Sequence, residues 1–151
     1  MAIVITGHTR CAICDEILKD NEEIGAFSAF IANRLDPLYL FNDAAFHRAC
    51  FDRHPLAARA TAIDKRLNEN SKNRVCSVCH NQITSPDDYF VTGYLSEVGP
   101  LAEFNYLQMH ESCLTNWPGC KRFEQALDTA VAHARFENEY TVRYLKEALS
   151  L

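Results

Sequence analysis

The feature that most constrains this chain is a repeated arrangement of cysteine and histidine. A Cys-x-x-Cys pair is followed downstream by a His-x-x-Cys pair, and the whole arrangement occurs twice. The eight residues are Cys11, Cys14, His47, Cys50, Cys76, Cys79, His110 and Cys113. Two complete sets in the same order are hard to obtain by chance, so any fold for this chain must account for both of them.

The residues between these pairs repeat as well, which indicates an internal duplication. An offset of 65 positions aligns the two Cys-x-x-Cys pairs, and after a two-residue slip an offset of 63 aligns the two His-x-x-Cys pairs. The second offset also places Phe41 on Phe104. Because a repeat of this kind decides the fold, it takes precedence over local patterns. We identify two copies of one unit, about 1–56 and 70–119, each followed by a helical segment.

The segment between the two pairs of each unit is typical of a β-hairpin. Apolar and aromatic runs at 24–31 and 89–95 are followed by a loop and then by short apolar runs at 38–41 and 101–104. Runs of this length separated by turn residues favour paired strands with a loop at the tip. The sequence therefore predicts one hairpin in each unit.

Helices are predicted after each hairpin. The spacing of His-x-x-Cys places both side chains on one face of a first helical turn. Apolar residues at spacings of three and four over 56–67 predict an amphipathic helix, and the polar stretch 68–73 is the best candidate for a linker. The tail, 121–151, repeats the helical pattern without Gly or Pro. One long helix and two helices broken near Glu137-Asn138 both fit this pattern.

The cysteine and histidine sets match the requirements of zinc. Structural zinc prefers four thiolate and imidazole ligands in tetrahedral geometry, and three cysteines with one histidine are a common set. The sequence therefore predicts two Zn²⁺ ions per chain. The first is expected on Cys11, Cys14, His47 and Cys50, and the second on Cys76, Cys79, His110 and Cys113. Pairing within a unit is the expectation, and exchange of ligand pairs between the units is the alternative.

Two other interpretations compete with a zinc site. Buried structural cysteines with ordinary histidines are common in proteins, but they do not require two sets in matched register. A redox-active Cys-x-x-Cys is typically found near a thioredoxin-like βαβ pattern and needs no His-x-x-Cys partner. Because each set supplies four ligands, whereas a catalytic zinc keeps one position open for water, both zinc ions are expected to be structural.

At this point the chain resembles a known class of proteins. A Cys-x-x-Cys knuckle, a hairpin and a His-x-x-Cys opening a helix resemble a treble-clef zinc finger, and the spacing is similar to the first half of a LIM domain. The resemblance covers about two thirds of the chain and implies the two ligand sets given above. A LIM domain continues directly into a second zinc half and a RING domain uses eight cross-braced ligands, whereas each unit here runs into a helix. Ubiquitin-ligase activity is therefore not implied.

The expected fold class is α+β, with two treble-clef-like zinc units and an additional C-terminal helical segment. We place the first zinc-binding unit and its following helix at 1–69, and the second unit with the helical tail at 70–151. The apolar seam of the tail could be covered by the two units or by a second chain. A monomer and a homodimer formed through the C-terminal helix both fit the periodicity.

Several residues outside the two sets need a separate interpretation. Cys120 is expected to be a buried or bystander thiol, since its counterpart in the first unit is not a cysteine. His8 could substitute as a ligand, but neither it nor His80 has a counterpart in the other unit. Asp43 is close enough in sequence to orient the imidazole of His47. The acidic pairs at 22–23 and 87–88 are expected to form solvated turns, His54 to be a packing residue, and His133 to lie on the surface.

Charge and composition restrict the functional classes. The net charge is −5, which argues against nucleic acid as the main partner because phosphate contacts require a basic surface. No apolar run has the roughly 18 residues of a membrane helix, and positions 1–6 lack the basic start of a secretory signal. We therefore expect a cytoplasmic protein, where paired cysteines more often bind metal than form disulfides.

The expected function is a non-enzymatic protein-binding module. No G-x-S-x-G, P-loop or H-E-x-x-H motif is present, so neither redox nor nuclease activity is expected. The acidic surface suits a basic protein partner, as in an adaptor or a bacterial immunity protein that neutralises a toxin. The alternative is a zinc-finger regulator associated with nucleic acid.

Overall fold

The computed structural model describes residues 2–149 of the chain. The first unit contains β1 (Ile24–Ala26), β2 (Ala45–His47), α1 (Arg48–Asp52) and α2 (Ala57–Lys72). The second unit and the tail contain β3 (Phe90–Val91), β4 (Gln108–Met109), α3 (Glu111–Leu114), α4 (Cys120–Ala132) and α5 (Glu139–Leu149). Short 3₁₀ helices lie at Pro37–Phe41, Pro86–Asp88 and Ala102–Phe104. The predicted α+β class is confirmed in this mixture of helices and small antiparallel sheets.

The two sheets pair their strands in the same register. Strands β1 and β2 pair antiparallel with Gly25 opposite Phe46, and β3 and β4 pair antiparallel with Phe90 opposite Met109. These two pairs are related by the same offsets of 65 and 63 that align the sequences. The duplication predicted from the sequence is therefore also a duplication of the backbone.

The second strand of each hairpin was predicted at the wrong place. The run 38–41 lies in a 3₁₀ helix, and most of 101–104 lies in another, while β2 and β4 come directly before the histidines. Pro37 begins the first of these helices, and the Asp36 carboxylate caps it by accepting from the Leu38 N–H at 2.8 Å. Proline and an Asp cap favour a helical turn over a strand, and the turn still buries Leu38 and Phe41.

The predicted linker at 68–73 is also wrong, because α2 continues through Lys72. Its polar residues face solvent along the last helical turns, where the Ser71 hydroxyl donates to the Asn68 carbonyl at 2.8 Å. The Asn70 side chain reaches the second unit and donates to the Tyr106 carbonyl. A polar stretch can therefore remain helical when tertiary contacts hold its end, and α2 connects the two units directly.

Each unit has its own apolar core built from equivalent positions. The first core includes Leu18, Leu38, Phe41, Phe46 and Phe51, and the second includes Ile83, Leu101, Phe104, Met109 and Leu114. The first core is rich in aromatic rings, and its Phe46 and Phe51 rings stack with centroids 4.6 Å apart. In the second core, methionine and leucine take these two places, and the tail helices supply additional apolar contacts.

The tail forms two helices, which decides between the two predicted options. Asn138 ends the break between α4 and α5, since its side-chain oxygen accepts from the Thr141 N–H at 3.1 Å. Its amide group donates to the Ala32 carbonyl of the first unit at 2.8 Å. The apolar seam of the tail packs into the second core through Phe123, Ala126, Leu127, Leu145 and Ala148. No helix in the described part of the chain is long and apolar enough to cross a membrane.

A second contact between the first unit and the tail centres on Asn33. This buried side chain donates to the Arg135 carbonyl at 2.8 Å and accepts from the Glu137 N–H at 3.0 Å. The Arg34 N–H donates to the Glu137 carbonyl. The segment between α4 and α5 is thus attached to the first unit by the Asn33 side chain and by one backbone–backbone hydrogen bond.

Candidate metal centres

The first Cys-x-x-Cys pair lies on a tight backbone knuckle. The Cys11 N–H donates to the Glu16 carbonyl at 2.8 Å, and the Asp15 N–H donates to the Cys11 carbonyl at 2.9 Å. Asp15 adopts a left-handed backbone conformation with φ of 63°, which reverses the chain immediately after Cys14. Aspartate tolerates this region better than most residues do.

The second knuckle has the same hydrogen bonds at equivalent positions. The Cys76 N–H donates to the Asn81 carbonyl, and the left-handed residue is His80, with φ of 60°. The N–H groups of Val78 and Cys79 lie 3.4 and 3.5 Å from the Cys76 sulfur. His80 is therefore the turn residue of this knuckle and is not part of its metal-ligating group.

Strand β2 carries His47 over the first knuckle. The Ala12 N–H inside the knuckle donates to the Ala45 carbonyl at 2.9 Å. His47 then ends the strand with an extended backbone and is the N-cap residue of α1, whose first turn contains Cys50. The predicted placement of the His-x-x-Cys pair at a helix start is confirmed.

The second unit uses the same construction. The Ser77 N–H donates to the Gln108 carbonyl at 2.7 Å, which fixes β4 to the knuckle. His110 is the N-cap residue of α3, and Cys113 lies in the first turn of that short helix. Strand, cap and helix therefore deliver the third and fourth residues of both sets to one place.

The structure brings together all four residues of each set, and it does so within a unit. The ligand atoms of Cys11, Cys14, His47 and Cys50 lie within 4.8 Å of one another, as do those of Cys76, Cys79, His110 and Cys113. Among the described residues, these are the groups that could hold a metal ion. The alternative in which ligand pairs exchange between the units is not adopted in this structure.

The spacing of donor atoms fits a tetrahedral ion. The Cys14 sulfur lies 3.4 Å and the Cys50 sulfur 3.8 Å from Nδ1 of His47. The corresponding distances to Nδ1 of His110 are 3.4 and 3.9 Å. Tetrahedral zinc with its usual bond lengths to sulfur and nitrogen would separate these donors by about 3.6 Å. Both groups are therefore consistent with zinc.

Burial and backbone N–H groups give the cysteine thiols within one group different pKa values. Burial raises the pKa of Cys76, but N–H groups of Cys79, His110 and Val78 outweigh it and lower the pKa to about 6. Burial and then the two neighbouring thiols raise the pKa of Cys113 to about 11. Cys11 has the same low pKa of about 6 as Cys76. One thiolate forms readily in each group, and a cation would stabilise the others.

Glu22 contacts the first centre and was missed by the sequence analysis. Its carboxylate lies 3.0 Å from Nε2 of His47, on the side of the ring away from the sulfurs. The expectation that 22–23 is a purely solvated turn is therefore wrong for Glu22. The role foreseen for Asp43, to orient the His47 imidazole, falls to Glu22 because the β1 end of the hairpin brings it next to the ring. The sequence offered one indication of this contact: Glu22 lies two residues before a predicted strand.

The second unit uses its acidic pair differently. The Asp88 carboxylate accepts from the Ser112 N–H at 3.0 Å and from the Ser112 hydroxyl at 3.3 Å. Asp88 thereby holds the first turn of α3 in place and contributes only its charge to the surroundings of His110. The two centres therefore have the same set of residue types, three cysteines and one histidine, but they differ in the groups around the histidine.

The other sulfur and histidine residues lie outside both groups. Cys120 is half-buried at the start of α4, and His8 is exposed. The prediction that His54 is a packing residue is confirmed, since its ring meets Phe41 edge-on with centroids 5.0 Å apart. His133 is exposed at the end of α4, as predicted.

Comparison of the chain with protein-family models, with curated protein sequences and with solved structures finds no match in any of the three. The class that fold and site define is an α+β protein with two Cys₃His groups, each able to hold a metal ion, in duplicated units. Its function is inferred below from these residues and their surroundings.

Proposed function

We propose that the chain is a zinc-binding, non-enzymatic protein-interaction module made of two treble-clef units. The observation that carries this proposal is the closed set of four protein ligands in each unit. A catalytic zinc needs an open position, whereas four sulfur and nitrogen ligands complete a structural site. The two ions would replace part of the large core that units of this size cannot build.

The donor chemistry supports zinc as the ion. Thiolate ligands favour zinc, copper(I) or iron–sulfur clusters over magnesium, calcium or manganese, and one imidazole among three thiolates in tetrahedral geometry favours zinc. Three thiolates exceed the charge of a Zn²⁺ ion by one unit at each centre. Two occupied centres would therefore take the formal net charge from −5 to about −7.

The acidic groups nearest the centres are engaged in ways that support a structural role. Glu22 lines an open hollow of about 450 Å³ together with His47 and Cys50, but its carboxylate bonds to His47. Asp88 bonds to Ser112, so each carboxylate already holds another residue in place, whereas a general acid or base must reach the substrate. We therefore propose binding and not catalysis as the activity, with a basic protein as the partner and an adaptor or immunity role as the biological context.

An open groove supports protein binding at a particular surface. It has a volume of about 380 Å³ and lies between the loop before the third 3₁₀ helix and helix α4. Its apolar lining includes Leu35, Val98, Pro100, Leu101, Ala126 and Ala130. Val98 is 74% exposed and Leu35 is 47% exposed. Exposed apolar residues gathered in one groove are typical of interaction surfaces.

Capture of partners from the native host tests the proposal. The zinc-loaded chain is used as bait, and bound proteins are identified by mass spectrometry. We expect to capture a basic protein. The Val98→Glu bait, which places a charge in the groove, should lose this protein. The Ile5→Glu bait, which adds the same charge outside the groove, should retain it. Binding to DNA or RNA that weakens steeply with salt, without such a protein, would instead support the nucleic-acid regulator.

A further inference from the structure

We propose that Glu22 is a positioning residue for His47 and that it makes the two metal centres unequal, so that the second centre releases its ion more readily. The juxtaposition that carries this inference is the Glu22 carboxylate 3.0 Å from Nε2 of His47. The inference rests on the proposal that both Cys₃His groups hold zinc. It concerns the order in which the two ions leave.

Zinc binding would require one particular tautomer of His47. Nδ1 faces the sulfurs of Cys14 and Cys50, so it must present its lone pair to the ion. The ring proton then belongs on Nε2, where it donates to the Glu22 carboxylate. A carboxylate on the outer nitrogen fixes the tautomer and the orientation of a ligating imidazole and makes it a better donor.

Glu22 is itself held in place. Its carboxylate accepts from the Lys19 N–H at 2.9 Å, and its own N–H donates to the Lys19 carbonyl at 3.1 Å. The adjacent Glu23 carbonyl accepts from the Arg48 N–H at 2.7 Å, which fastens this turn to the start of α1. The side chain of His47 is only 15% exposed, which limits competition from water. The carboxylate is therefore presented to the ring by the backbone and does not depend on a flexible surface chain.

The second centre lacks this arrangement. The residue equivalent to Glu22 is Asp87, which is one methylene shorter and forms no ion pair with His110 in the described part of the chain. His110 instead bonds to the backbone of Gln82, and a neutral carbonyl is a weaker acceptor than a carboxylate. The next residue, Asp88, is committed to Ser112, whose counterpart in the first unit is Ala49 and offers no hydroxyl. The second unit thus uses Asp88 to hold the first turn of α3, whereas the first unit uses Glu22 to hold the imidazole of His47.

Zinc release from the full chain loaded with two ions tests the inference. Transfer to the chromophoric chelator 4-(2-pyridylazo)resorcinol is followed at neutral pH, and we expect a fast phase and a slow phase of equal amplitude. Glu22→Ala should accelerate the slow phase by about 10–100-fold, the usual effect of losing an outer carboxylate. Glu22→Gln keeps an oxygen acceptor and should fall in between. Asp87→Ala is the matched control and should leave both phases unchanged.

Nitrogen NMR of the histidine rings separates positioning from a general loss of stability. We expect a slowly exchanging Nε2–H signal for His47 in the zinc-loaded protein and in Asp87→Ala, and its loss in Glu22→Ala. A slow phase unchanged in Glu22→Ala, an equal effect of Asp87→Ala, or a retained His47 signal with faster release would each overturn the inference. A chain that carries fewer than two zinc ions at the start would overturn the zinc assignment as well.

Discussion

The Tyr94 hydroxyl of the second unit donates a hydrogen bond of 3.2 Å to the Asp36 carboxylate of the first unit, in a buried position between the two. Arg59 completes this junction, since its guanidinium donates to the Tyr94 hydroxyl at 2.7 Å and lies 3.6 Å from the Asp36 carboxylate. A second guanidinium nitrogen of Arg59 pairs with Glu97. The two copies are therefore joined by a polar network as well as by α2.

Tyr94→Phe is expected to destabilise the protein by about 1–3 kcal/mol, because it removes a donor from the buried Asp36 carboxylate and an acceptor from Arg59. Urea unfolding of the zinc-loaded protein measures the change in the free energy of unfolding. Tyr140→Phe is the matched control, since Tyr140 is exposed, and it should change that free energy by less than about 0.5 kcal/mol. Equal effects of the two substitutions would contradict the role of the junction.

The same tyrosine predicts a pH dependence. Burial, together with the nearby Asp36 charge and against the effect of Arg59, raises the pKa of Tyr94 to about 12. The folded state therefore holds the phenol proton more tightly than the unfolded chain, in which a tyrosine pKa is about 10. The contribution of this group to stability is complete below about pH 10 and is lost as the pH rises toward 12.

Urea unfolding at a series of pH values checks this prediction. The free energy of unfolding of the natural protein should fall more steeply between pH 10 and pH 12 than that of Tyr94→Phe. The two curves should run parallel below pH 9, where both states hold the proton. Parallel curves over the whole range would show that Tyr94 does not titrate differently in the folded and unfolded states.

The duplication and the members of the two Cys₃His groups could be predicted from the sequence because spacing and residue type carry that information directly. The second strands could not, since 38–41 has an apolar composition that suits a strand and a buried 3₁₀ turn equally well. The helical state of 68–72 depends on contacts with the other unit, such as that of Asn70 with Tyr106. The Glu22–His47 contact depends on how the hairpin meets the helix, which no local pattern encodes.

Two asparagines at equivalent positions are expected to be important for the hairpin loops. The Asn42 side-chain oxygen accepts from the N–H groups of Phe30 and Ile31, and that of Asn105 accepts from Leu95 and Ser96. Replacing either asparagine by alanine leaves partly buried N–H groups without an acceptor, at a cost of about 1–3 kcal/mol each.

Thermal unfolding of Asn42→Ala and Asn105→Ala measures this cost. Asn68→Ala provides the control, because Asn68 is exposed on α2 and its side chain bonds to Asp64 on the same helix. We expect both loop variants to melt at clearly lower temperature than the control. If the Asn68→Ala control melts at as low a temperature as the loop variants, the loop hydrogen bonds do not explain the loss of stability.

Loss of one ligand is expected to unfold one unit. Because structural zinc supplies folding free energy, Cys14→Ser should disorder the first core and Cys79→Ser the second. Trp117 is the single tryptophan and packs against Phe104 and Phe123 in the second core. Its fluorescence should therefore shift to longer wavelength in Cys79→Ser and stay unchanged in Cys14→Ser. The same spectrum in both variants would argue against separate centres.

The central claim is that two zinc ions complete the two Cys₃His groups, and metal analysis tests it most directly. Protein purified without chelator is examined by inductively coupled plasma mass spectrometry, with the chain quantified by amino-acid analysis. The account predicts two zinc ions per chain, one in Cys14→Ser and in Cys79→Ser, and two in Cys120→Ser, whose cysteine belongs to neither group. Fewer than two zinc ions in the natural protein, or loss of zinc in Cys120→Ser, would contradict it.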